Sequence, residues 1–158
     1  MKINKTNAMR VLDKAKIEYN VLTYDTDDGF IDGARVAQKC NRESKMVFKT
    51  LITHTPTKEY YVFMVPVDKE LNLKLCAKSV NEKSIEMIHV NEITAISGYV
   101  RGGCSPIAMK KQYKTIIDES ALENDLILFS GGKIGIQIEL NPLSLAKVIH
   151  AEFSELTN

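Results

Sequence analysis

Apolar residues recur at Ala8, Val11, Leu12 and Ala15. That i, i+3, i+4, i+7 spacing is the stripe of an amphipathic helix, and Thr6 or Asn7 can cap it. The period then changes. Residues 17–24 (IEYNVLTY) read as a strand, followed by a polar loop, DTDDG. Asp32 can cap a short helix over residues 33–39, with Asn41 at its end. Residues 46–53 and 60–67 form two strands joined by HTPTKE, and they pair most simply as an antiparallel hairpin. Pro66 falls near the end of the second strand, where a missing N–H is tolerated. Helical spacing returns in residues 72–80, with Leu73, Cys76, Ala77 and Val80 on one face. A short strand at 84–87 and a short helix at 91–96, ended by Gly98, come next. Residues 114–118 predict a strand and 118–122 a single helical turn. Residues 126–129 and 134–140 predict strands closed by SGGK, where Gly131-Gly132 suits the positive φ of a tight turn. Asn141 caps a last helix that begins with Pro142, and Leu145, Val148 and Ile149 face inward.

The pattern amounts to about seven strands and four or five short helices. Interspersed elements with clear hairpins predict an α+β fold with a curved, mixed, mostly antiparallel sheet. A length of 158 residues fits one domain spanning residues 1–158. Chains of this size bury roughly 70% of the surface their unfolded form exposes. Apolar residues are 44% and charged residues 26% of the chain, as in an ordinary globular domain.

Charge narrows the partners. Twenty-one Lys and Arg against 20 Asp and Glu give a formal net charge of +1. A strongly basic nucleic-acid coat is excluded, while a grip on an RNA end stays open. Lys110, Lys111 and Lys114 are the candidates for a modest patch. The cysteines, Cys40, Cys76 and Cys104, are odd in number and form no CxxC, which argues against a disulfide framework or a zinc knuckle. The start, MKINKTNAMR, has no apolar h-region, and no run approaches the ~20 apolar residues of a membrane helix. We therefore expect a cytoplasmic protein with no membrane partner.

Most catalytic templates are missing. There is no GxSxG, no HExxH, and no complete calcium loop, since DTDD (residues 25–28) lacks the rest of one. No metal and no cofactor is expected. RGGCSP puts Cys104 and Ser105 in a glycine-rich loop, but a nucleophile needs a base. Nothing in the sequence aims His54, His89 or His150 at Cys104, so Cys104 reads as a small packed apolar side chain. Two glycine-rich loops remain, RGGCSP with Gly102 and Gly103, and SGGK with Ser130, Gly131 and Gly132. Glycine lets a backbone approach a ligand closely, and consecutive N–H groups form anion-binding concavities. Neither loop matches a nucleotide-phosphate motif.

Lys49 stands inside an apolar run, MVFKTLI. Along an alternating strand it shares a face with Val47 and Leu51, opposite Phe48 and Thr50. It either points to solvent or, if both faces are covered, must find oxygen partners.

VFKTL, LNLKLCAKSVN, GYVRGGCSPIAMKK and SGGKIGIQIEL followed by NPLSLAKV together resemble the YbaK family. Four motifs in order, over nearly the whole chain, carry the resemblance. It implies a hydrolase of misacylated tRNA, and the most similar group removes cysteine from Cys-tRNA(Pro). It implies a pocket containing Lys49 and Thr50, the loop residues Gly102, Gly103, Ser105 and Pro106, and Ser130, Gly131 and Gly132. Tyr24 and Phe30 match two aromatic residues of the family pocket. The implied partners are the acceptor end of tRNA(Pro) carrying cysteine and a prolyl-tRNA synthetase.

The family also implies why no nucleophile is needed. A cysteinyl ester brings its own thiol, which attacks the ester carbonyl once the chain is held folded for attack. Lys49 then serves as a grip on the terminal adenosine or its phosphate, and Gly102 and Gly103 supply N–H groups to the oxyanion. Two other readings stay open: an Ala-tRNA(Pro) deacylase in which water attacks, and a binding module without catalysis.

Overall fold

The computed structural model describes residues 4–158, so the first three residues of the MKINKTNAMR segment lie outside the described residues. Helix α1 (Asn7–Lys14) starts at Thr6, whose Oγ1 accepts the Met9 N–H, and it buries Ala8, Met9 and Leu12. Strand β1 (Asn20–Thr23) begins three residues later than the apolar pattern suggests. The reason is the end of α1. Lys16 turns to φ +58° and Ile17 donates to Leu12 O, so the chain is still closing the helix there. Asp32 caps α2 (Gly33–Lys39), and Asn41 follows it at φ +55°.

Strands β2 (Phe48–His54) and β3 (Tyr60–Pro66) form the expected hairpin, in register from Phe48 opposite Pro66 to His54 opposite Tyr60. Then come α3 (Leu73–Ser79), β4 (Glu86–Met87), α4 (Ile93–Ser97), β5 (Lys114–Asp118), β6 (Ile127–Lys133), β7 (Ile136–Leu140), α5 (Pro142–Ile149) and β8 (Glu152–Ser154). Asn141 caps α5 by accepting the N–H groups of Leu143 and Ser144.

The fold class is the expected α+β, but the eight strands among the described residues divide into two sheets. One is ordered β1-β7-β6 and is antiparallel. The other is ordered β4-β2-β3-β5-β8, with β5 parallel to both β3 and β8. Strand β8 has only three residues, too few to show a period in the sequence. A single parallel bridge, Val47 to Leu128, joins the sheets. The largest core cluster fills the space beneath this junction with Phe48, Met64, Ile117, Phe129, Ile138 and Leu145. α3 packs Cys76, Ala77 and Val80 of its predicted face on Phe63 and Ile116, whereas Leu73, the fourth residue of that face, is exposed at the start of the helix. Among the described residues, no helix is long and apolar enough to cross a membrane.

The expected Gly131-Gly132 turn needs correction. Strand β6 runs on to Lys133, and the turn is Ile134-Gly135 with Gly135 at φ +94°. Gly131 and Gly132 instead form a bulge where the register shifts between Ser130 and Lys133. The chain there is clamped from both sides. Thr6 Oγ1 donates to Gly131 O at 2.6 Å, and a Cβ on Gly132 would lie 3.2 Å from the Tyr99 ring.

One buried charge is tied to this sheet. Glu139 is buried in β7 and takes Arg42 Nε at 2.7 Å and Asn20 Nδ2 at 3.1 Å. The Arg42 guanidinium holds its carboxyl below the usual range. Replacing Arg42 by Met leaves a buried carboxylate without its cation. We expect a loss of about 2–3 kcal/mol in denaturant melts, below the usual figure because Arg42 is partly exposed. A depressed carboxylate contributes stability above its unfolded pKa and loses it as pH falls through the folded pKa. The gap between wild type and Arg42→Met should therefore close as pH drops below the ordinary glutamate range.

Candidate active site

The two sheets diverge beyond the Val47–Leu128 bridge and leave a cavity of about 340 Å³. Val47 and the first five residues of β2, 48–52, line it along one side. Val36 of α2 and Ile31 before it close a second side, and Met87, Val90 and Ile93 close a third. The loop at residues 101–104 forms a fourth wall, with Ser130 of β6 and Gln137 of β7 behind it.

Five of the predicted residues meet in this cavity: Tyr24, Lys49, Thr50, Gly102 and Ser130. Gly103, Ser105, Pro106, Gly131 and Gly132 do not line it. Gly103 donates its N–H to Val100 O at 3.0 Å, which sets the loop. A Cβ on Gly103 would sit 3.1 Å from Ile134 N and 3.3 Å from Lys133 Cα. This loop therefore lies directly on the β6–β7 turn, and a side chain there would have to push the facing main chain back by a few tenths of an ångström. Ser105 is fully buried, with its Oγ accepting the Ile107 N–H. Ser130 Oγ accepts the Gly132 N–H at 3.3 Å. Phe30 is not part of the wall. Its ring is 48% exposed and lies under the Arg35 guanidinium, 4.4 Å from the ring centroid.

Arg101, Cys104 and Gln137 also line the cavity. Gln137 carried a signal in the sequence. Strand β7 is buried along its whole length, so a glutamine inside it must face something polar. Arg101 carried none, because an arginine beside glycines is most often a solvated turn residue.

The polar groups have a common trait. Tyr24 Oη and Thr50 Oγ1 are the two buried side-chain oxygens without a hydrogen-bond partner among the described residues, and both residues line this cavity. An unpaired buried hydroxyl is costly, which makes both groups candidates for a ligand contact. The two charged lining residues, Lys49 and Arg101, are both cationic. Lys49 is about three-quarters buried, and its Nζ lies 3.8 Å from the exposed carboxylate of Glu70. No group of three His, Cys, Asp or Glu side chains that could hold a metal occurs among the described residues.

Nucleophile chemistry is poorly served. Burial pushes the Cys104 thiol up to about 11, so it is protonated at neutral pH. His54 Nδ1 is bonded to Thr55 O, His89 precedes the helical turn before α4, and His150 ends α5. None of the three lines the cavity.

Residues 32–148, which carry every wall of the cavity except Tyr24 and Ile31, match the model of the aminoacyl-tRNA editing domain. The chain belongs to that family. It is an aminoacyl-tRNA editing enzyme, a deacylase, as its motifs led us to expect. A relative from Enterococcus faecalis (strain ATCC 700802 / V583), EbsC, is 38% identical over 153 residues, covering 97% of this chain and 93% of its own. It is named for Cys-tRNA(Pro)/Cys-tRNA(Cys) deacylase activity. Two solved structures share the fold. The protein APE2540 superimposes with a TM-score of 0.88 at 19% identity, over 97% of this chain and 100% of its own. A trans-editing protein for prolyl-tRNA synthetase superimposes with a TM-score of 0.81 at 18% identity, over 99% of both chains.

The two unpaired hydroxyls of the editing domain give a test that separates stability from activity. Tyr24→Phe and Thr50→Val each remove a buried oxygen that the folded protein leaves unsatisfied. Each variant should be more stable by roughly 1 kcal/mol, a rise of about 2–4 °C in Tm. Deacylation should fall by about tenfold in the same variants if the oxygens bind substrate. Calorimetry and a deacylation assay on one preparation check both.

Proposed function

We propose that this protein clears cysteine from Cys-tRNA(Pro) in trans, with the substrate's own thiol as the nucleophile. The observation that carries the reading is a cavity with cations and hydroxyls but no activated nucleophile or base in its wall. Such a cavity suits catalysis by orientation. The cysteinyl chain folds so that its sulfur attacks the ester carbonyl and expels the ribose oxygen. The cyclic thioester then opens in water. Holding the reacting atoms in a near-attack geometry is worth up to roughly 7–11 kcal/mol.

Lys49 and Arg101 serve as grips for the sugar–phosphate end of the acceptor strand, and neither acts as a base. Because the Gly103 N–H is engaged by Val100 O, its role is to shape the loop. The oxyanion donors are then the N–H groups of Gly102 and Cys104, the residues that flank it and line the cavity. The thiol requirement also gives selectivity. A single methylene or hydroxyl separates small side chains by only ~1–3 kcal/mol in a pocket, whereas an alanine ester has no nucleophile and a serine hydroxyl is a far weaker one than a thiol.

Recognition of the tRNA body needs help. A net charge of +1 offers few phosphate contacts. Of the candidate patch, Lys110 donates to Ala95 O of α4, and Lys114 lies 4.0 Å from Glu152. A prolyl-tRNA synthetase holding the tRNA is the natural source of that specificity, and the working site is the cytoplasm.

Release of cysteine from Cys-tRNA(Pro), with and without the synthetase, tests the reading. Lys49→Ala should lower kcat/KM by roughly 10- to 100-fold, the scale of one lost charge-assisted contact. Cys104→Ala should leave it within about threefold, because the nucleophile belongs to the substrate. Clearance of Ala-tRNA(Pro) at a matching rate would show that water attacks directly. Binding without turnover of either ester would leave a carrier rather than an enzyme.

A further inference from the structure

An aminoacyl ester carries an α-amino group, and among the described residues no anion lines this cavity to receive it. The charged groups in its wall are Lys49 and Arg101. The surrounding carboxylates are engaged or turned outward. Asp32 caps α2 through the Arg35 N–H, Glu92 takes the His89 N–H, and Glu139 is held by Arg42. Glu86 is exposed on β4. Glu70, near Lys49, has a side chain 94% exposed and is well screened by water. An ammonium entering here would lose hydration and face the three-quarters buried Lys49 ammonium, the Arg101 charge being exposed and screened as Glu70 is, and both effects favour the neutral amine.

The neutral polar groups in the wall are suited to an uncharged nitrogen. Gln137 is 94% buried, from its 6% exposure, and carries both an amide acceptor and donors. Tyr24 Oη and Thr50 Oγ1 are unpartnered. Ile31, Val36, Met87 and Val90 add apolar surface beside them. An amide N–H and C=O would satisfy these groups as well as an amine does.

We propose that the cavity takes the aminoacyl ester with its α-amino group uncharged, and therefore accepts N-acylated aminoacyl esters as a further substrate class. This rests on the deacylase reading above and adds to it a rule for the charge state of the substrate.

The test uses two non-hydrolysable probes, adenosine bearing cysteine through a 3′-amide and its N-acetyl counterpart. Titration calorimetry on the intact protein, in two buffers of different ionisation enthalpy, counts protons on binding. An α-amino group titrates near pH ~7.7–8.0. At pH 6.5 the free-amine probe should release about one proton, and its Kd should tighten about tenfold per pH unit up to that pKa. The N-acetyl probe shares the thiol, so it should release none and bind with a pH-independent Kd. N-acetyl-Cys-tRNA(Pro) should then be deacylated with a kcat/KM within about tenfold of the unblocked ester at pH 7. Gln137→Glu, which adds an anion to the wall, should abolish the proton release.

Binding of the free amine without proton release, or rejection of the N-acetyl probe while the free amine binds, overturns the proposal. Rejection of the N-acetyl ester alone, with Cys-tRNA(Pro) cleared, overturns its substrate claim. Proton-linked binding of the probes without turnover of either ester would instead overturn the deacylase reading and support the charge rule. Failure of both probes to bind while Cys-tRNA(Pro) is cleared overturns the proposal and leaves the deacylase reading standing.

Discussion

Contact between two stretches of main chain at Gly103 is the constraint on which the site depends. With no side chain there, the loop at residues 101–104 lies directly on Lys133 and Ile134. That contact closes the cavity on the side where β6 and β7 leave β2. Behind it the Gly131-Gly132 bulge is pinned by Thr6 and packed against Tyr99, whose hydroxyl donates to Ile107 O at 2.5 Å. The two glycine pairs thus work in packing first. They bring a loop and a hairpin to one place, and through it Gly102, Cys104 and Ser130 face the same space.

The contrast in polar satisfaction is sharp. Asp118, equally buried, has all its oxygens in use: Oδ1 takes the Leu156 N–H, and Oδ2 takes both the N–H and Oγ of Ser120. Arg42 and Asn20 do the same for Glu139. Only at the cavity are buried hydroxyls left unpaired among the described residues. A protein tolerates such a cost where a ligand repays it, and stability and activity then pull in opposite directions at the same atoms.

Electrostatically the molecule is almost neutral while its cavity is cationic. That pairing favours a local grip on an anionic end over long-range attraction for a large polyanion. It also leaves the reacting group among cations, hydroxyls and one amide. Such surroundings stabilise developing negative charge on a carbonyl oxygen and disfavour an ammonium beside it.

The sequence by itself determined most local elements, because periodicity, caps and turn residues act over a few residues. α1, α2, α5 and the β2–β3 hairpin all fall where Thr6, Asp32, Asn141 and the HTPTKE segment put them. It also marked Lys49 as a charge in an apolar strand and singled out both glycine loops. Only the tertiary structure decided how the strands divide between two sheets and that β5 runs parallel to β3, because pairing over long separations leaves no short-range signal. It moved the hairpin turn from Gly131-Gly132 to Ile134-Gly135, since either glycine site satisfies positive φ and packing against Thr6 and Tyr99 selects between them. Arg101 and Gln137 joined the cavity in the same way. Which side chains share a space depends on where distant backbones meet, and here they meet at a glycine, where a Cβ would crowd the facing main chain.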